Sequence, residues 1–221
     1  MRRVVLSSVV AACLALVGSQ AHADDINLTG FVRNPASVLN LTGGPVNYTD
    51  EGSGQFMGTY GSNASFQTYC TDLAQTFSFN TTYTDYTVIG GVMAFGADKS
   101  LALDELMSAA IRAGFPFDAD SSALIQAAIW EIIYETSGSY DFASGSFTVT
   151  SNNATTQNYL STAINFGGLP FEPVTYHVDQ LHSDNSQDFL VITAVPEPST
   201  YALMFAGLAG MAFVARRRSQ R

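Results

Sequence analysis

The sequence predicts an α+β fold: a β-rich single domain with a central pair of helices, plus an N-terminal signal peptide and a short C-terminal hydrophobic helix. Three observations predict it. Short β-type runs, broken by Gly, Pro and Asn, lie on both sides of the middle of the chain. The middle carries two stretches with apolar residues at helical spacing. The body from Asp24 to Val195 is long enough for one packed core and shows neither an internal repeat nor a second domain. Strand runs around a helical centre read as α+β.

Taken in order, residues 1–23, "MRRVVLSSVVAACLALVGSQAHA", have a basic start at Arg2 and Arg3. A mostly apolar core from Val4 to Val17 and an Ala21-His22-Ala23 cleavage site follow, which is the pattern of a secretory signal peptide. The mature chain then begins near Asp24. Ile26 to Val92 is rich in Gly, Thr, Asn and aromatics, with a Gly-Gly-Pro break in "NLTGGPVNY" and alternation in "TFSFNTTYTDYTVIG". Ser100 to Gly114 places Leu103, Leu106, Met107, Ala110 and Ile111 on one helical face, with Gly114 and Pro116 as the stop. Asp118, Asp120 and Ser121 offer caps for a second helix from Ser122 to about Glu135. After Gly138 come a strand in "GSFTVT", a short helix around Thr155 to Ile164, and strands in "VTYHV" and "DFLVITAV". The last is apolar on both faces and is expected at the centre of a sheet.

Val195 to Pro198 forms a proline-set linker, and Thr200 to Ala215 is an unbroken run of apolar or small residues followed by Arg216, Arg217 and Arg218. As a helix that run reaches about 24 Å, short of a hydrocarbon core of about 30 Å. Arginines directly after it stay cytoplasmic, which leaves the body outside the inner membrane. Residues 196–221, with Pro196-Glu197-Pro198, the hydrophobic helix and the Arg cluster, resemble the PEP-CTERM sorting signal of Gram-negative bacteria. The resemblance implies an exosortase as processing partner, a membrane enzyme that cleaves near the motif. It also implies delivery to the cell envelope or exopolysaccharide matrix, with the C-terminal helix acting as a transient or lasting transmembrane anchor.

The body, residues 24–195, holds 3 basic and 18 acidic residues, a net charge of −15. That charge disfavours nucleic acid and anionic lipid as partners and suits an exported, solvated protein. Its basic residues are Arg33, Lys99 and Arg112. Cys13 leaves with the signal peptide, so the body keeps one cysteine, Cys70. In an exported protein a leftover cysteine signals intermolecular pairing or a reactive thiol, and otherwise a quiet buried one.

The second helix raises a question of its own. "ALIQAAIWEII" is apolar on nearly every side except for Gln126 and Glu131, so it should be buried. A buried amide without partners costs a few kcal/mol, about 1–3. If this helix packs on the strand carrying Cys70, thiol and carboxamide meet, and attack with loss of ammonia forms an internal thioester. Such a bond needs enforced proximity, oxyanion stabilisation and a water-poor pocket. Phe66, Tyr69, Trp130 and Tyr134 are the candidate pocket residues. Glu131 is expected to meet a buried donor such as Arg112 or to reach the helix surface.

Three local patterns, "YCTDL", "IRAGFP" and "IQAAIWEI", resemble the Cys-Gln thioester domains of bacterial surface adhesins. The matching positions are Tyr69 and Cys70; Gly114, Phe115 and Pro116; and Gln126, Ala128, Ile129 and Trp130. Ile125 stands where that family often has threonine. The resemblance implies a covalent adhesin that captures an amine-bearing surface protein or matrix component once and is not an enzyme, with no cofactor. The alternative is a non-covalent structural or exopolysaccharide-associated matrix protein without a thioester. A cysteine hydrolase is disfavoured because the body's only histidines, His177 and His182, lie far along the chain. A metal site at His177, Asp179, His182 and Asp184 is disfavoured because strand alternation puts the two histidines on opposite faces.

Overall fold

A computed structural model describes residues 24–162, 173–196 and 198–219. The signal peptide (1–23), Glu197 of the sorting motif and Ile164 of the short helix lie outside the described residues. Six strands come first: β1 (Asp24–Phe31), β2 (Ser37–Thr42), β3 (Tyr48–Ser53), β4 (Phe56–Tyr60), β5 (Asn63–Thr68) and β6 (Thr82–Ile89). The helical centre follows as α1 (Gly91–Phe95), α2 (Ala97–Arg112) and α3 (Ala119–Tyr134). The chain then forms β7 (Thr148–Thr150), α4 (Ala154–Thr162), β8 (Tyr176–His182), β9 (Phe189–Ala194) and α5 (Pro198–Ser219). The α+β expectation agrees with this β-rich order, and the expected helix pair, α2 and α3, is preceded by a short helix, α1, that the sequence reading did not include.

An antiparallel sheet runs β5-β4-β1-β6-β8-β9, and a smaller one runs β3-β2-β7. The larger sheet curls until its ends meet. Leu190 donates its N–H to the carbonyl of Tyr69 (3.0 Å) and Thr71 donates to that of Asp188 (2.9 Å), around a Cys70–Phe189 bridge. β9 was expected to be central, yet it ends the sheet order. Its apolar start, Phe189 and Leu190, is buried because the segment just past β5 covers that edge, whereas Thr193 and Ala194 are exposed.

α3 is walled in by α2, α4 and strands β2, β3 and β7, which explains its lack of a polar face. It begins three residues before the expected start. Asp118 is the N-cap, accepting from the Ser121 N–H at 2.7 Å, while the Ser121 hydroxyl accepts from the Asp118 N–H at 3.1 Å. α2 stops where the chain turns at Gly114, whose φ of +76° is open to glycine. Glu131 neither reaches the surface nor depends on an arginine for its one resolved bond. It is fully buried, and its Oε1 accepts from the Asp141 N–H at 2.9 Å.

α5 contains Arg216, Arg217 and Arg218, with Pro198 in its first turn. Among the described residues no helix is long and apolar enough to cross a membrane. The expected transmembrane helix is therefore not supported: the arginines lie inside the helical span, and the apolar run before them is too short.

Candidate functional site: the Cys70–Gln126 seam

The seam follows from antiparallel pairing. Because the Tyr69 carbonyl and the Thr71 N–H are turned toward β9, the N–H and carbonyl of Cys70 are turned away from it. Gln126 of α3 meets both. Its Oε1 accepts the Cys70 N–H at 3.0 Å, and its Nε2 donates to the Cys70 carbonyl at 2.8 Å. The carboxamide thus completes the barrel edge as a further strand would. Gln126 is 0% and Cys70 1% exposed, so these bonds replace water that cannot enter.

The Cys70 thiol donates to the Asp72 carbonyl at 2.8 Å. Gln187 donates from Nε2 both to the sulfur and to the Asp72 carbonyl, the latter at 2.9 Å. Trp130, one turn after Gln126, turns its indole N–H toward the sulfur. That N–H makes no hydrogen bond of good geometry, yet it lies close enough to favour a thiolate. Burial pushes the Cys70 thiol well up, and the Trp130 and Gln187 donors only partly offset this. At neutral pH the resting group is a thiol.

Cys70, Gln126, Trp130 and Gln187 share a cavity of about 280 Å³. Its wall is aromatic: Phe31, Phe56, Phe77 and Phe79, with Phe31 and Phe56 centred 4.9 Å apart and Phe77 and Phe79 5.1 Å apart. Tyr48 and Glu51 of β3 line it as well.

Of the four expected pocket residues, Trp130 lines the cavity. Tyr134 stands behind it, accepting from the Leu73 N–H (2.9 Å) and donating to the Thr71 carbonyl (3.3 Å), and so fixes the loop after Cys70. Tyr69 and Phe66 do not line it. Tyr69 packs into a second core with Leu103, Ile129 and Val178, and Phe66 packs at a tilt against Tyr60 with centroids 5.2 Å apart. Sequence reasoning missed Gln187 and the phenylalanine wall, although "TFSFN" carries two of those rings two residues apart.

The histidines keep to themselves. His177 pairs with Asp104 (2.9 Å) and Asp179 (3.2 Å), and His182 with Asp188 (2.9 Å) and Asp184 (3.3 Å). Neither bonds Cys70, and no group of three or more potential metal ligands gathers among the described residues.

Residues 194–218 match a family model described as the PEP-CTERM protein-sorting motif. The chain carries a PEP-CTERM sorting signal. This signal implies exosortase processing, export, and a place in the cell envelope or outside the cell. The match covers Pro196, Glu197, Pro198, Arg216, Arg217 and Arg218, and it leaves the barrel unassigned. No curated protein and no solved structure matches the chain. The likeness of the body to thioester domains therefore rests on its own residues alone.

Proposed function

We propose that the exported body is a single-use covalent adhesin built on a Cys70–Gln126 thioester. One observation carries the reading: the Gln126 carboxamide is clamped to the backbone of the same residue whose sulfur it would acylate. In the forming step Sγ attacks the Gln126 side-chain carbon. The Cys70 N–H already bonded to Oε1 stabilises the oxyanion. The C–N bond breaks, the thiol proton leaves on nitrogen, and ammonia departs. Burial shelters the product from hydrolysis. In the capture step a primary amine of a surface protein or matrix component attacks the same carbon, the C–S bond breaks, and Cys70 returns to a thiol. The reaction runs once, so the protein is consumed and does not turn over.

Intact mass tests this. The purified chain should be lighter than its sequence by one ammonia. Methylamine should then add to the wild type and not to Cys70→Ala. A full-mass protein with a titratable thiol would sink the proposal.

A second reading is favoured by the same two hydrogen bonds. They satisfy the buried amide with no chemistry at all, making Gln126 a structural clamp in a non-covalent matrix protein associated with exopolysaccharide. A full-mass protein would support it.

A further inference from the structure

We propose that Glu51 is the group that receives the incoming amine: its carboxylate binds the ammonium form inside the cavity and takes its proton before attack. This rests on the thioester reading of Cys70 and Gln126 and adds a residue to it.

An amine arrives at neutral pH as an ammonium ion and cannot attack until it loses a proton. The cavity that holds Cys70 and Gln126 contains one carboxylate among its lining residues, Glu51. The histidines that would be the usual bases are engaged with Asp104 and Asp188 instead. Glu51 sits on β3, opposite Leu39 of β2, at a position half-buried by the small sheet. Burial raises its pKa, with no cation offsetting that rise among the described residues. An arriving ammonium would supply the missing positive partner. Phe31, Phe56, Phe77 and Phe79 line the same cavity, and aromatic rings of this kind attract a cation and accept a lysine's methylene chain.

The proton balance closes. Glu51 takes the first proton from the ammonium and later returns it to water. The neutral amine adds to the Gln126 carbon, and its second proton goes to the departing Cys70 sulfur. A base of this kind should have a pKa brought toward the working pH, and the direction of the shift at Glu51 agrees.

The experiment compares the full chain with Glu51→Gln and Glu51→Asp by intact mass. The ammonia deficit is read first, then the rates of methylamine and hydroxylamine capture. Hydroxylamine is already neutral at pH 7 and needs no base to release its lone pair. Glu51→Gln should keep the deficit, which also shows that it folds, and should lose about 10²-fold in methylamine capture. Its hydroxylamine rate should stay near wild type, and Glu51→Asp should recover part of the methylamine rate. Wild-type methylamine capture by Glu51→Gln, or equal slowing with both reagents, would overturn the role of Glu51 while leaving the thioester standing. A wild type without the deficit would overturn both.

Discussion

Removing the Gln126 clamp is the most direct perturbation of the seam. The cleanest background is Cys70→Ala, where the carboxamide stays intact whatever chemistry the sulfur performs. In that background Gln126→Leu keeps the side chain's bulk and removes both of its hydrogen bonds. The N–H and carbonyl of residue 70 then lose their partners at 3.0 and 2.8 Å, at a site 1% exposed. The β9 ladder cannot replace them, because it already uses the Tyr69 carbonyl and the Thr71 N–H. Each stranded buried group costs about 1–3 kcal/mol, so the pair costs about 2–6 kcal/mol. Against a typical stability of about 5–15 kcal/mol, that is a large share. For a body of this size each kcal/mol moves Tm by about 2–4 °C, so the melt should fall by roughly 5–20 °C. Urea titration of the double and single variants gives the difference directly. A loss below about 1 kcal/mol would refute the reasoning, because it would mean that water from the adjoining cavity satisfies the backbone.

Asp118→Ala should cost about 1 kcal/mol in thermal melts, through loss of the bond to the Ser121 N–H that caps α3. Burial raises the Glu131 pKa from 4.5 to about 7, and the Asp141 N–H only partly opposes it. Wild-type stability should therefore be highest below pH 4.5 on this account and fall as pH rises toward 7. Glu131→Gln should match wild type near pH 4 and exceed it at pH 8 in urea midpoints. Glu135, one turn later, behaves in the opposite way. Burial raises it, but bonds from Ser137, Ser146 and Phe147 outweigh this and pull it from 4.5 to about 2. Its stabilisation should be complete above pH 4.5 and drain away between 4.5 and 2. Glu135→Gln should be less stable than wild type at pH 6 and show a flatter acid limb.

The sequence carried α3 clearly, because a run apolar on all sides with one amide in it is unusual enough to demand a partner. The stop at Gly114 was also legible from residue chemistry alone, and Asp118 was one of three residues, with Asp120 and Ser121, that the sequence offered as the cap. The closure that unites Cys70 with Gln126 was not. It depends on residue 69 meeting residue 190, a pairing that no local pattern records. β9 looked central for a related reason: a strand edge covered by a distant segment buries side chains much as a neighbouring strand does. The misplaced pocket residues had a cause visible in advance. On extended backbone Tyr69 must face away from Cys70, and Phe66, four residues earlier, lies about 13 Å along the strand. Rings from β1, β4 and the 76–79 loop supply the wall instead.

A clamping glutamine and a reacting glutamine need the same position, so the two hydrogen bonds to Cys70 cannot by themselves choose between the readings. The donors around the sulfur offer a way to test them. A clamp requires an amide and a backbone, and nothing from Trp130 or Gln187. Yet the Trp130 indole N–H is buried without a hydrogen-bonding partner and turned toward Sγ, and Gln187 donates to the same atom. An orphaned buried N–H costs free energy unless some state of the protein uses it. Under the thioester proposal that state is one in which the sulfur carries negative charge, as it would when attacking the carboxamide and when leaving an acyl carbon. Trp130→Phe should accordingly leave the clamp and the fold in place while slowing both formation of the ammonia deficit and methylamine capture. Unchanged rates in that variant would remove Trp130 from the chemistry, whereas a wild type without the ammonia deficit would return Gln126 to a purely structural role.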